Sequence, residues 1–397
     1  MDASKKRFNS RLQPTHHPTR HLLTLANQAR APKHRVLKVL SASVLGRAHN
    51  ALCALSSRGA KRREVLIIID ANSVIHRAYH ALPPLTTKKG ELVNAVYGFL
   101  LVFLKAIKEF QPDFIAACFD FPAPTFRHKK FKEYKAKRPP APKELYQQIP
   151  KVKEILKAFD VSVFEKEGFE ADDLIGTIST PHQRTGGGPE IENIILSGDL
   201  DVLQLINKNT KVYRLRKGVK DAVLYDQNSV KEKYGFPPEK LLDFKALRGD
   251  LSDNIPGAPG VGEKTAAILT KSFGSIENLY KELEKRGERA KKLRPRLKEI
   301  LLGSKDQVFL SKALVKVETN VPIDFNFKKC QWKRYDKEKV AHILKNLEFY
   351  SLIKKLPDPT SFSTPSKTAG SKLKKLRNLK KSGKIKKEEI NQQRALF

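Results

Sequence analysis

Acidic residues are missing from the start of this 397-residue chain: between Ala3 and Arg63 there is no Asp or Glu, against 14 Lys and Arg. Cysteine is scarce as well. Cys53, Cys118 and Cys330 form no CxxC pair and have no close His neighbour, which argues against a zinc site and against a disulfide framework and fits a reducing compartment. Long apolar runs are also lacking. The longest stretch, Ala95–Ile107, contains Tyr97, Gly98 and Lys105 and is well short of the roughly 20 residues that span a bilayer, so no membrane partner is expected.

What is present is positive charge, +35 over the chain. The tail 357–397 carries 11 Lys and Arg against 3 acids, and about +14 remains on residues 64–356. A field of that sign attracts polyanions, nucleic acid first. The basic segment 1–64, with no acid between Ala3 and Arg63, lacks clean periodicity. It fits an organellar transit peptide, a disordered basic arm or a start placed too far upstream, because the composition changes abruptly at Glu64.

From Val65 the pattern becomes globular. "VLIIID", "FIAACFD" and "IENIILSGD" read as buried strands ending in Asp70, Asp120 and Asp199, with helical periods at 93–110 and 145–159 between them. Strands alternating with helices predict an α/β domain with a mainly parallel sheet over 65–240. Three strands then deliver an aspartate to the carboxyl edge, where the crevice of an open α/β sheet lies. Residues 241–356 read as mostly helical, and 360–372 as a linker before a lysine-rich tail.

More acids cluster nearby. "EGFEADDLIG" puts Glu170, Asp172 and Asp173 at a helix start, where simple capping would need only one. "SGDLDVLQL" adds Asp201, expected on the same side of an extended strand end as Asp199. Asp250 and Asp253 share a face if their segment is helical. Nine carboxylates converging would repel one another, and hard divalent cations relieve that; all-oxygen ligands select Mg²⁺ or Mn²⁺. Two ions about 3.5–4 Å apart would clamp a phosphodiester. No Ser–His or Cys–His pair stands out as a competing nucleophile.

The segment 122–145 interleaves Phe126, Phe131 and Tyr134 with Arg127, Lys129, Lys130, Lys132, Lys135, Lys137 and Arg138. Cations for phosphates and rings for unpaired bases are what single-strand binding needs, although a basic surface helix has the same composition. Glycines at 257, 260 and 262 allow a tight hairpin whose backbone meets a phosphate at the next helix's N-terminus, holding duplex DNA without reading its sequence.

The motifs "IIIDANSVIHRAYHAL", "FDFPAPTFRHKKFKEYKAKRPP", "EADDLIG", "SGDLDVLQL" and "GDLSDNIPGAPGVGEKTA" resemble, in order and spacing, the 5′-nuclease family. That family comprises the 5′–3′ exonuclease domain of bacterial DNA polymerase I, standalone 5′–3′ exonucleases and flap endonucleases. The resemblance implies a PIN-like nuclease domain with a helical arch, followed by a helical domain with a helix-three-turn-helix motif at 250–270 that often holds K⁺ against a DNA phosphate. It implies metal ligation by Asp70, Asp120, Glu170, Asp172, Asp173, Asp199, Asp201, Asp250 and Asp253, with Lys135 and Arg138 at the scissile region. It also implies DNA contacts by Tyr79 and Tyr134 at the gateway, by Arg127 in the basic segment and by Gly260, Gly262 and Lys264 at the duplex. Leu200 departs from the lysine common between the two aspartates, and "PHQRTGGGPE" (181–190) is an unusual link, expected to be a loop.

The resulting expectation is a standalone Mg²⁺-dependent 5′–3′ exonuclease and flap endonuclease acting on 5′ flaps, 5′ ends and RNA-primed DNA. Hundreds of further residues would be needed for a polymerase, so none is expected in this polypeptide. The rivals are a non-catalytic structure-specific DNA-binding protein and a PIN-type ribonuclease. "QRALF" at Gln393–Phe397 resembles a sliding-clamp-binding peptide of bacterial replication proteins. It favours a bacterial cytoplasm over an organelle.

Overall fold

The computed structural model describes residues 63–180, 190–216, 218–219, 221–332 and 335–358. The basic segment 1–62, the link 181–189 and the tail with Gln393, Leu396 and Phe397 lie outside the described residues.

The chain first builds β1 (Glu64–Asp70), α1 (Ala71–Ala81), α2 (Asn94–Phe110), β2 (Phe114–Cys118), α3 (Phe126–Lys130), α4 (Lys143–Tyr146), α5 (Ile149–Ala158), β3 (Ser162–Phe164) and α6 (Ala171–Ser179). Then come β4 (Ile191–Ser197), β5 (Thr210–Leu215), β6 (Ala222–Tyr225), α7 (Gln227–Tyr234) and α8 (Leu241–Arg248). Helices α9 (Glu263–Phe273), α10 (Ile276–Glu284), α11 (Glu288–Lys291), α12 (Pro295–Gly303), α13 (Lys305–Val315), α14 (Lys337–Asn346) and α15 (Tyr350–Ile353) follow.

The strands form one sheet in the order β3-β2-β1-β4-β5-β6, parallel except for β6 against β5. The apolar run of β1 fits a strand buried on both faces. Ile67 and Ile69 enter the cluster formed with α1, α2 and α5, while Leu66 and Ile68 enter the opposite cluster with α6 and α8–α10. α1 and α2 cross so closely at Gly98 that a Cβ there would sit 2.7 Å from the Ala78 Cβ. The glycine that interrupts the longest apolar stretch is therefore a packing requirement.

The helical region does not stand apart from the sheet. Leu241, Phe244, Leu247, Leu269 and Phe273 share a buried cluster with Leu66, Ile68 and Ala116. Cys330 and Trp332 pair by backbone with Ile115 and Asp113, and the chain then passes to the other face. There Trp332, Val340, Leu344 and Leu352 join the α1–α2–α5 core, with the Tyr335 ring 4.8 Å from Phe159. The expected border near 241 thus marks a change of secondary structure, while the end of the 241–356 region packs on the nuclease sheet.

The expected arch is also different in form. Residues 126–145 make the short helix α3, a run of turns and the start of α4, with Lys135 in the left-handed region at φ 57°. Pro139, Pro140 and Pro142 break any longer helix. Among the described residues no helix is long and apolar enough to cross a membrane.

Candidate active site

The strand order reverses between β1 and β4, which are neighbours although the chain visits β2 and β3 in between. A crevice opens at such a switch point, beyond the carboxyl ends of the strands. Here it is a cavity of about 900 Å³ lined by Asp70, Asp120, Glu170, Asp172, Asp199, Asp201, Asp250 and Asp253. Eight of the nine expected acids therefore face one space.

Asp70 ends β1 and caps α1, its Oδ1 accepting the Ser73 N–H at 3.1 Å and its Oδ2 the Ser197 hydroxyl at 2.6 Å. Burial, with Asp120 and Asp199 adding repulsion, pushes its pKa up to about 7 despite those hydrogen bonds. Asp172 is held well above the usual carboxylate range by burial and then by Asp70, Asp199 and Asp201. Asp201 is pushed up to about 6, chiefly by burial, although Lys245 opposes the shift. Asp199 goes the other way: burial is outweighed by hydrogen bonds from the 201 backbone and by Lys245. Asp120 accepts the Ala171 N–H at 2.8 Å and so ties the β2 end to the start of α6.

Several local expectations are corrected. Asp199 and Asp201 do not lie on an extended strand, because β4 ends at Ser197 and a 3₁₀ turn starts at Asp201. Asp250 and Asp253 are not on a helix. Gly249 (φ 73°) ends α8, and residues 250–255 form a tight turn closed by the Asp250–Ile255 bridge. Both carboxylates reach the crevice through that turn.

Asp173 is not available there. It is 0% exposed, and its two oxygens accept from both terminal nitrogens of Arg127 at 2.7 Å each, from the Glu318 N–H and from the Glu170 N–H. Arg127 is correspondingly buried, its Nε donating to the Leu314 carbonyl. The pair fixes the start of α6 and withdraws the Asp173 carboxylate from the crevice, contrary to its expected role in metal binding, while Arg127 borders the crevice with its guanidinium committed to Asp173 rather than free for a DNA contact.

Tyr134 is also buried, contrary to a base-stacking role. Its hydroxyl reaches Glu170 at 3.1 Å and Asp253 at 3.3 Å, and its ring meets His128 edge-on. Lys135 pairs with Glu170 at 2.8 Å and Arg138 with Asp253 at 2.6 Å. The basic segment thus folds down onto the acids. Tyr79 does not line the crevice; it packs against the α1–α2 core and the His80 ring. His76 and His80, on the same helix, are the α1 rings at the crevice, and burial followed by the charges of His80 and Arg138 lowers the His76 pKa.

Gly260 (φ 70°) and Gly262 shape the hairpin, and Gly262 caps α9 at the crevice wall. Lys264 is exposed on the first turn of α9. Sequence reasoning missed Lys245, which is nearly buried and paired with Asp201. The available signal was a lysine set among the buried Phe244, Ala246 and Leu247. It also missed Ser73 and Ser197, which orient Asp70.

Among the described residues no three His, Cys, Asp or Glu side chains are drawn close enough to form a ready-made metal cage. The donor set nevertheless fits a hard divalent cation. Asp70, Asp120, Asp172, Asp199 and Asp201 are all-oxygen groups at one crevice, and Asp70 and Asp172 have no cationic partner among the described residues.

A carboxylate-lined crevice at the switch point of a parallel sheet, with a basic segment over it and a glycine hairpin at its wall, defines a PIN-like nuclease. Residues 65–235 match the 5′-3′ exonuclease N-terminal resolvase-like domain, and residues 236–338 match the 5′-3′ exonuclease C-terminal SAM fold. The chain is 38% identical over 293 residues to a 5′-3′ exonuclease of Aquifex aeolicus, covering 74% of this chain and 95% of that protein. It belongs to the 5′-3′ exonuclease family. It is 40% identical over 299 residues to DNA polymerase I of Bacillus subtilis, covering 75% of this chain and 33% of the polymerase. The chain therefore spans about a third of the length of the DNA polymerase I relatives it matches. The fold is shared with a phage T5 5′-exonuclease solved with zinc ions (TM-score 0.51, 19% identity, 72% of this chain and 99% of that one). It is shared equally with a phage T5 flap endonuclease solved with DNA and metal ions (TM-score 0.51, 19% identity, 72% and 100%).

Proposed function

We propose that this chain is a divalent-metal-dependent 5′–3′ exonuclease and flap endonuclease that hydrolyses phosphodiester bonds of DNA, and of RNA primers on DNA, at 5′ ends and flaps. The observation that carries this is the meeting of Asp70, Asp120, Asp172, Asp199 and Asp201 at one crevice whose rim bears cations. Those five carboxylates, with Glu170, Asp250 and Asp253 nearby, would hold two Mg²⁺ ions, with Mn²⁺ able to substitute. Bound ions would lower the pKa of water and offset the charge on the leaving oxygen.

The chain's own residues do the rest. Ser197 and Ser73 fix the Asp70 carboxylate, and Asp120 fixes α6. Lys135 and Arg138 leave Glu170 and Asp253 to neutralise the scissile phosphate and orient the 5′ strand. Arg127, through Asp173, is a positioning residue for α6. The backbone at Gly260 and Gly262, with Lys264, would hold the duplex by a phosphate, and K⁺ held by that hairpin would add positive charge there.

The direct test is a labelled 5′-flap duplex incubated with the protein, with and without Mg²⁺. Cleavage near the flap junction only with Mg²⁺ is expected. Binding without cleavage would leave the non-catalytic reading, and cleavage confined to single-stranded RNA would leave the ribonuclease. The peptide Gln393–Phe397 is proposed to dock on a bacterial sliding clamp, Leu396 and Phe397 filling an apolar pocket. Equal calorimetric signals with and without those two residues would remove that part.

A further inference from the structure

Four cations that sit among the acids are matched: Arg127 with Asp173, Lys135 with Glu170, Arg138 with Asp253 and Lys245 with Asp201. Where β5, α7 and the end of α8 meet, a second group is not. Arg214 and Arg248 line the same crevice with no carboxylate partner among the described residues, and the Arg214 Nε is buried without a hydrogen bond. Lys233 lies with its amine 4.9 Å from the Tyr234 ring centre and 5.7 Å from that of Tyr225. The Arg248 guanidinium is 6.0 Å from the centre of the Phe244 ring.

These groups feel one another. The Lys233 pKa is lowered by burial and then by the charge of Arg214, with Arg216 adding to it and only Glu263 opposing. The Tyr234 hydroxyl is pushed up to about 12 by burial, with Arg248 and Arg214 both close enough to pull against that shift. Three cations gathered against the single carboxylate of Glu263 leave net like-charge repulsion, which raises the free energy of the folded state. Aromatic faces offset only part of it. An extended polyanion matches the group, because its charges repeat along a backbone and can meet several cations at once. Gly262 and Glu263, at the start of α9, line the same crevice, so the cluster continues the track of the hairpin.

We propose that Arg214, Lys233 and Arg248, set around Tyr234, form a second phosphate-binding site that takes the backbone of the substrate duplex beside the Gly262 hairpin. The site rests on the nuclease reading above. It contacts phosphates only, so it adds affinity and register without sequence preference.

The test is the salt dependence of binding to a 5′-flap duplex in EDTA, which prevents cleavage. Lys233 and Arg248 are both exposed, so the pair Lys233→Gln and Arg248→Gln is expected to fold, and matched thermal melting checks this. The slope of log affinity against log salt is expected to become shallower by about 2, roughly 0.9 for each lost contact. Affinity at low salt is expected to drop about tenfold or more, while binding of a single-stranded oligonucleotide changes by no more than about twofold. The charge-keeping pair Lys233→Arg and Arg248→Lys is expected to retain the wild-type slope. Should the double variant fail to fold, Lys233→Gln alone carries the test, with a slope change of about 0.9. An unchanged slope, or an equal loss on single strands, overturns the site while wild-type binding and Mg²⁺-dependent cleavage leave the nuclease reading standing. A wild-type protein that binds no duplex at all overturns both.

Discussion

Arg127 and Asp173 meet as a buried fork, two hydrogen bonds of 2.7 Å each, with the carboxylate at 0% exposure. Removing one partner of such a pair strands the other charge, at a cost of about 3–5 kcal/mol. Asp173→Ala is therefore expected to lower the midpoint of chemical denaturation sharply, and to lose cleavage through the displaced α6. Asp120 is exposed and makes a single backbone contact. Asp120→Asn keeps that acceptor, so it is expected to lose cleavage while melting within about 1 kcal/mol of wild type. Similar stability loss in both variants would remove this distinction.

Lys135 and Arg138 are tied to Glu170 and Asp253, acids at the crevice, and no paired duplex contact is needed to explain them. Lys135→Ala with Arg138→Ala is expected to slow single-turnover cleavage by about 10²-fold or more while changing flap-duplex affinity far less. A loss confined to binding would make the segment a general basic patch.

Two hairpin glycines are expected to respond differently. Gly257 has φ 62°, and a Cβ there would lie 2.4 Å from the Gly249 nitrogen. Gly257→Ala should destabilise the fold. At Gly262 nothing lies within 4 Å of an added Cβ. Gly262→Val should therefore melt near wild type yet bind duplex more weakly, because the space a side chain would fill is the phosphate's. Unchanged affinity in a titration at fixed salt would take the hairpin out of the substrate path.

Asp70 supplies the pH dependence. Its pKa rises from 3.8 to about 7 on folding, so between those values the folded state holds a proton that the unfolded state has lost. Stability must fall as pH rises through that window and level off beyond it. In EDTA, the stability of wild type relative to Asp70→Asn is expected to decline from about pH 4 to about pH 7. Mg²⁺ should restore wild type at neutral pH more than the variant, by binding the ionised carboxylate. Parallel pH profiles for the two proteins would show that Asp70 titrates normally.

The parallel sheet was legible because "VLIIID", "FIAACFD" and "IENIILSGD" are each too apolar for a half-exposed strand and each end in an acid. The crevice acids were legible for the same reason: a residue at a strand end has its position set by the sheet. Lys245 and Ser197 were not, since each acts across the fold on a partner far away in sequence, and Arg214 was not, since only the fold brings it to the crevice.

The sequence by itself determined the strand order's raw material, the carboxyl-edge acids Asp70, Asp120 and Asp199, the glycine hairpin and the surplus of positive charge. These follow from local periodicity, turn chemistry and composition. Only the tertiary structure decided that Asp173 is spent on Arg127 while Asp172 faces the crevice. Only it decided that Lys135 and Arg138 close onto acids while Lys233 and Arg248 form no ion pair among the described residues and lie against aromatic rings. Adjacent aspartates on a helix start point in different directions, and identical cations differ only in what the fold brings within reach. Pairing and burial are set by contacts between distant segments, which spacing along one chain does not encode.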